Sequence, residues 1–191
     1  MGTTDFDSAA AVLRKHGLEP NKDVALIATG GDFGVMAQAL KNGAVNAAQM
    51  SPPWPAKLRA DGFKVLLKLS DELDFPQAGL GTNTARITQN HDEAEAVVQS
   101  ELGAIRYIAT NREGTLQILE KDFALPADEA AETYDSVATS FKTDLKPSVE
   151  GIGNLAKTVL ASVPNAQGLS AQQIYDRVVD DSLVNEALKH A

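Results

Sequence analysis

Three short stretches of this chain carry the groups best suited to holding a small polar molecule: Gly2-Thr3-Thr4-Asp5, Gly30-Gly31-Asp32-Phe33 and Ser51-Pro52-Pro53-Trp54. Each runs into a segment with a helical pattern, so each would offer unpaired backbone N–H groups at the positive end of a helix. Thr3, Thr4 and Ser51 add hydroxyls that donate or accept, and Trp54, the only tryptophan, adds a flat apolar wall with one donor. Asp32 reads in two ways, as a carboxylate for an amine-bearing ligand or as a helix cap. Every loop also has an ordinary structural reading. Gly30-Gly31 makes a tight turn, Thr3 and Thr4 cap, Pro52 and Pro53 suit a first helical turn, and Trp54 fills a core or interface. The convergence of all three on one sheet edge would make them a site, with Thr3, Thr4, Gly31, Asp32, Ser51, Pro52 and Trp54 as the ligand-binding set.

Catalytic chemistry has little to work with. Cysteine is absent, which removes thiolate catalysis, disulfides and Cys-based zinc sites. The three histidines, His16, His91 and His190, fall at helix ends or polar turns, and none reads as part of a metal-ligand pattern on an apolar face. No G-x-S-x-G, Walker A, G-x-G-x-x-G or H-E-x-x-H motif occurs. The pairs Asp71-Glu72, Asp92-Glu93, Asp128-Glu129 and Asp180-Asp181 sit in loops or first helical turns, where they complement the helix dipole. The sequence therefore assigns no catalytic residue, metal or cofactor, and reads as a binding protein rather than an enzyme.

The elements that must position these loops come in two parts. From the start to about residue 85, helices alternate with short apolar runs. Helical signals at Ala9–Leu13, Phe33–Leu40 and Trp54–Ala60 are closed by Gly17, Gly43 and Gly62. Strand-length runs at 24–29, 44–50, 63–69 and 78–84 lie around them, predicting βαβ units and a mostly parallel sheet. From residue 86 the pattern is helical throughout: 95–111, 114–123, 128–137, 149–163 and 170–188, with Pro126, Pro147 and Pro164 in the gaps. An opening helix with no strand feeding it, and a helical half with no sheet to cover, predict that strands are missing from the front.

The whole chain has 191 residues, 43% of them hydrophobic, enough to bury a core. Its net charge of −9, with no basic cluster, argues against nucleic acid as a partner. No apolar run reaches the roughly 18 residues of a membrane span. Met1–Ser8 lacks the basic and apolar regions of a signal peptide.

The order of these signals resembles the SsuA/THI5-like (NMT1-like) family of type II periplasmic binding proteins. The resemblance rests on Gly2-Thr3-Thr4-Asp5-Phe6, Gly17-Leu18-Glu19-Pro20, Asp23-Val24-Ala25-Leu26-Ile27, Leu40-Lys41-Asn42-Gly43-Ala44-Val45-Asn46-Ala47-Ala48, Gly62-Phe63-Lys64-Val65-Leu66 and Val179-Asp180-Asp181-Ser182-Leu183-Val184. It is carried by order and spacing across nearly the whole chain. The resemblance implies an α/β fold of two lobes with a solute, anionic or polar organic, in the cleft between them. Residues 1–85 would be the second lobe lacking its first strand, and 86–191 the helical C-terminal part of the first lobe. It further implies delivery to ABC permease subunits of the nitrate, sulfonate, taurine or thiamine-precursor type. The parent protein would be periplasmic or lipid-anchored, with its N-terminal segment absent or on another chain. The alternatives are an enzyme of thiamine-pyrimidine-precursor synthesis, disfavoured by the missing cysteine and by loops without histidine, and a truncated non-binding fragment or sensor domain.

Overall fold

The computed structural model describes residues 4–159 and 168–190. Among them the regular structure is helical. Helices α1 (Thr4–Lys15), α2 (Phe33–Lys41) and α3 (Trp54–Ala60) are followed by two short ones, α4 (Leu69–Glu72) and α5 (Thr84–Gln89). The rest are α6 (His91–Thr110), α7 (Arg112–Asp122), α8 (Ala127–Val137), α9 (Val149–Val159), α10 (Ala171–Val178) and α11 (Ser182–Ala187).

Local chemistry sets the helix ends. Asn83, Asn111 and Ser170 accept hydrogen bonds from the first-turn N–H groups of α5, α7 and α10, and Ser170 with Gln173 completes a reciprocal capping box. The region 170–188 is two helices rather than the single one the periodicity predicts. Asp180 Oδ1 accepts from the Ser182 N–H at 2.9 Å, giving the backbone a local partner that competes with continuing the helix. The tail of the predicted 149–163 helix lies outside the described residues.

The main correction concerns the sheet. The runs predicted as strands at 24–29, 44–50, 63–69 and 78–84 are non-helical for most of their length, but no two of them pair among the described residues. The ladder there is reduced to one parallel bridge between Pro20 and Val24. A strand signal is local, whereas a parallel ladder needs a neighbouring strand brought in by a crossover. Without that pairing the apolar side chains stay outside: Ile27 is 64% exposed, Leu66 81% and Leu80 60%. The fold is therefore helix-rich, with α/β character confined to the alternation of helix and extended chain in the first part.

Burial is concentrated where helices meet. Val98 and Leu102 of α6 pack on Leu183 and Ala187 of α11, with Ile87, Ala94, Leu145, Val184 and Leu188 around them. Of the predicted apolar face of α6, Val98 and Leu102 are buried, Ile105 and Ile108 half-buried, and Val97 turned outward. Further packing joins α9 to α10, α7 to α8, and α3 to α8. The last of these crosses residue 85, and Arg59 pairs with Glu132 there at 2.8 Å. Ser148 also hydrogen-bonds Asp74 across the same point.

A polar clasp ties α1 to α4. Lys15 Nζ lies 2.8 Å from Glu72 Oε2 and donates to the Glu72 carbonyl at 2.9 Å, while His16 Nε2 lies 3.4 Å from the same carboxylate. The Lys15 hydrogen bond holds the Glu72 carboxyl below its ordinary value. Desolvation opposes this, and the charges of Lys15 and His16 reinforce it. Because the folded value lies below the unfolded one, the clasp contributes fully above the unfolded value and is lost as pH falls through the folded one.

Two outcomes are expected. Leu102→Ala should cost about 2–5 kcal/mol in urea unfolding, since Leu102 is only 2% exposed, whereas Leu66→Ala should stay within about 0.5 kcal/mol. An NMR titration of Glu72 should show its pKa rising in Lys15→Met; an unchanged curve would remove Lys15 as the cause.

Candidate functional site

Gly30 and Gly31 have φ values of 74° and 84°, in the left-handed region where glycine is unstrained. A Cβ at either would meet nothing within 4 Å, so the glycines answer a backbone requirement rather than a close approach. The turn they make delivers Asp32 to the start of α2. Asp32 Oδ1 accepts from the N–H groups of Gly34 at 2.7 Å and Val35 at 3.1 Å. Of its two sequence readings, the cap is the one realised, and the positive end of α2 already carries a carboxylate.

The third loop turns through Ser51-Pro52-Pro53, with a cis bond between the prolines, and the Trp54 N–H donates to the Ser51 carbonyl at 3.1 Å. Trp54 opens α3, whose buried Ala56 and Leu58 anchor it. Its indole ring reaches α2: a Cβ on Gly34 would lie 3.8 Å from the ring edge and 3.1 Å from Asp32 Oδ1. Over the indole stands Lys57, its ammonium 5.5 Å from the ring centroid. The start of α2 and the third loop thus meet at Trp54, half-buried, with Gly34 at its edge and an ammonium over its face.

The first loop is placed by different residues from those the sequence singled out. Thr3 lies outside the described residues, and Thr4 is the first residue of α1. What ties the α1 start to the rest is Gln49, two residues before Ser51. Its Nε2 donates to Asp5 Oδ1 and to Ser8 Oγ, both at 3.1 Å. Ser8 is 1% exposed and donates in turn to the Asp5 carbonyl. Gln49 Oε1 is buried with no hydrogen-bond partner among the described residues. Sequence reasoning passed over Gln49. A polar side chain in a run otherwise read as strand was the signal available.

A second constellation sits elsewhere. His91 and Glu95, one turn apart on α6, come together with Glu186 of α11, with one donor atom from each lying within 4.8 Å of the others. The sequence reading assigned no metal ligand. The four-residue spacing of His91 and Glu95 was visible, but Glu186 is brought in only by the α6–α11 packing.

The chain belongs to the NMT1-like family, whose model matches residues 8–120. Comparison with curated proteins and with solved structures finds no match. Membership implies a periplasmic-binding-protein type of fold and a general solute-binding role. The matched span takes in Gly31, Asp32, Gln49, Ser51, Pro52 and Trp54, and begins after Thr4. No helix among the described residues is long and apolar enough to cross a membrane.

Asp32→Ala should destabilise the chain by about 0.5–2 kcal/mol through loss of the α2 cap, and Asp32→Asn should retain most of that stability. Chemical denaturation of the two variants beside the parent tests this.

Proposed function

We propose that this chain binds a small polar organic solute at the junction of its second and third loops, as the solute-binding component serving an ABC importer. Trp54 carries the reading. It is a half-buried indole, in the family-matched region, with Gly34 at its edge and both signs of charge close by. A flat wall flanked by a carboxylate and an ammonium suits an organic body with polar substituents better than a bare inorganic anion. Gly31, Asp32, Ser51 and Pro52 form the rest of the second-lobe contribution, with Thr3 and Thr4 completing it from the first loop.

In this reading residues 1–85 form the second lobe and 86–191 contribute the helical part of the first. The solute lies between lobes whose closure shifts a two-state hinge equilibrium. The parent protein works outside the cytoplasmic membrane and hands its solute to permease subunits. No bond is made or broken. The enzyme alternative, synthesis of a thiamine pyrimidine precursor, lacks support in the loops, which offer neither histidine nor cysteine.

A thermal-shift panel of sulfonates, thiamine-precursor pyrimidines, small aromatic acids and nitrate tests the proposal. One organic class should raise the melting temperature while nitrate does not. Trp54→Ala should remove that rise and weaken binding by at least about tenfold, as expected for loss of an aromatic anchor worth 1–2 kcal/mol or more. A rise that survives in Trp54→Ala would move the site elsewhere.

A further inference from the structure

We propose that His91, Glu95 and Glu186 form a binding site for a divalent transition-metal ion of the zinc class, which staples α11 to α6. The site is separate from the solute loops and does not depend on the solute-binding reading.

Packing organises the donors. His91 and Glu95 are four residues apart on one helix, so their side chains lie one above the other. The same face continues through Val98 and Leu102, which pack against Leu183 and Ala187. Glu186 stands beside Ala187, the most buried residue of that seam on α11 at 1% exposure. The ligands therefore occupy the rim of a buried helix contact, with both backbones already fixed. Little ordering of the main chain is left for the ion to impose.

The donor geometry fits an ion of this size. His91 Nε2 and Glu186 Oε2 are 3.0 Å apart. Two donors each about 2.0–2.1 Å from one ion, subtending about 90–110°, would be separated by about 2.9–3.4 Å. This pair could thus share a cation without moving apart, the ion taking the place of the hydrogen now between them. The third donor has further to come, since the set spans up to 4.8 Å. Glu95 Oε1 now accepts from Gln99 Nε2 at 2.7 Å. A carboxylate has two oxygens, and a half-exposed side chain can change rotamer at small cost, so Glu95 can swing toward the ion.

One imidazole with two carboxylates is a borderline-soft set, which favours zinc and its neighbours over magnesium or calcium, whose sites are built from oxygen alone. The two carboxylates match the charge of a divalent ion. Three protein ligands leave the remaining coordination positions to water, consistent with the outward exposure of His91.

Isothermal titration calorimetry of the full chain, stripped with a chelator and then titrated with zinc chloride, tests the site. Magnesium and calcium chloride serve as comparators. One zinc ion per chain should bind, and the melting temperature should rise with zinc but not with the other two. His91→Ala and Glu186→Gln should each weaken zinc binding by at least about tenfold, no less than the loss of an outer-sphere partner costs, while His190→Ala leaves it unchanged. All three positions are on or near the surface, and circular dichroism will verify that each variant is folded. Absence of zinc binding overturns the proposal, as does binding that persists in His91→Ala or disappears in His190→Ala.

Discussion

The seam between α6 and α11 closes the chain on itself. Among the described residues Leu102 is the largest side chain removed from solvent, and it meets Leu183 and Ala187. Apart from the leucines, most of the buried apolar residues are small: Ala10, Ala37, Ala56, Ala130, Ala156 and Ala187. Alanine buries little area, so it lets helices approach closely but contributes modestly to the hydrophobic term. The few larger side chains at the seam therefore bear a disproportionate share of the stabilisation. What lies above the seam, including the His91–Glu186 contact, inherits its geometry from it.

Elsewhere polar contacts take over positioning. The three candidate loops are held not by a core but by single side chains: Gln49 reaching Asp5 and Ser8, Asp32 capping α2, and Trp54 lying against Gly34. Such links are worth about 1 kcal/mol each and are easily remodelled, which suits a binding surface more than a structural one. The exposed apolar runs around Ile27, Leu66 and Leu80 belong to the same part of the chain. The part of the chain with the ligand candidates is thus also the part with the fewest packed neighbours.

The longer helices were legible in the sequence because their signals are local, whereas the short α4 and α5 fall where the sequence predicts strand ends and connections. Gly17, Gly43 and Gly62 fall just past α1, α2 and α3 with positive φ, as the C-terminal glycine pattern requires. The Asp180–Ser182 turn breaks the 170–188 region because Asp180 competes for a backbone hydrogen bond, whereas the apolar periodicity alone predicts one helix there. Sheet pairing was illegible for a different reason. An apolar run of six residues states that the chain is extended, not what it pairs with, and pairing is a property of the assembled fold. The same limit hid Glu186: two of the three grouped donors are neighbours on one helix, and the third is found only once the helices pack. Gln49 stands out in the sequence only as a polar side chain in a run read as strand, and which elements it bridges is decided by packing.

The charge pattern at the loops constrains what a ligand can be. The first turn of α1 holds Asp5 and Asp7, and the first turn of α2 is capped by Asp32. A helix start attracts anions through its unpaired N–H groups and partial positive charge, and a carboxylate already placed there satisfies both. At α2 the anion position is filled by the chain itself, and at α1 two carboxylates stand in the first turn. An anionic solute group would have to rely on other donors, of which Lys57 over Trp54 is the cation at hand. On the proposed reading, a solute that presents hydrogen-bond donors toward Asp32 and stacks an apolar body on Trp54 meets no such competition. Selectivity of this kind comes from acceptors committed in advance and from the one aromatic wall, and it follows from how the helices are capped rather than from any dedicated binding motif.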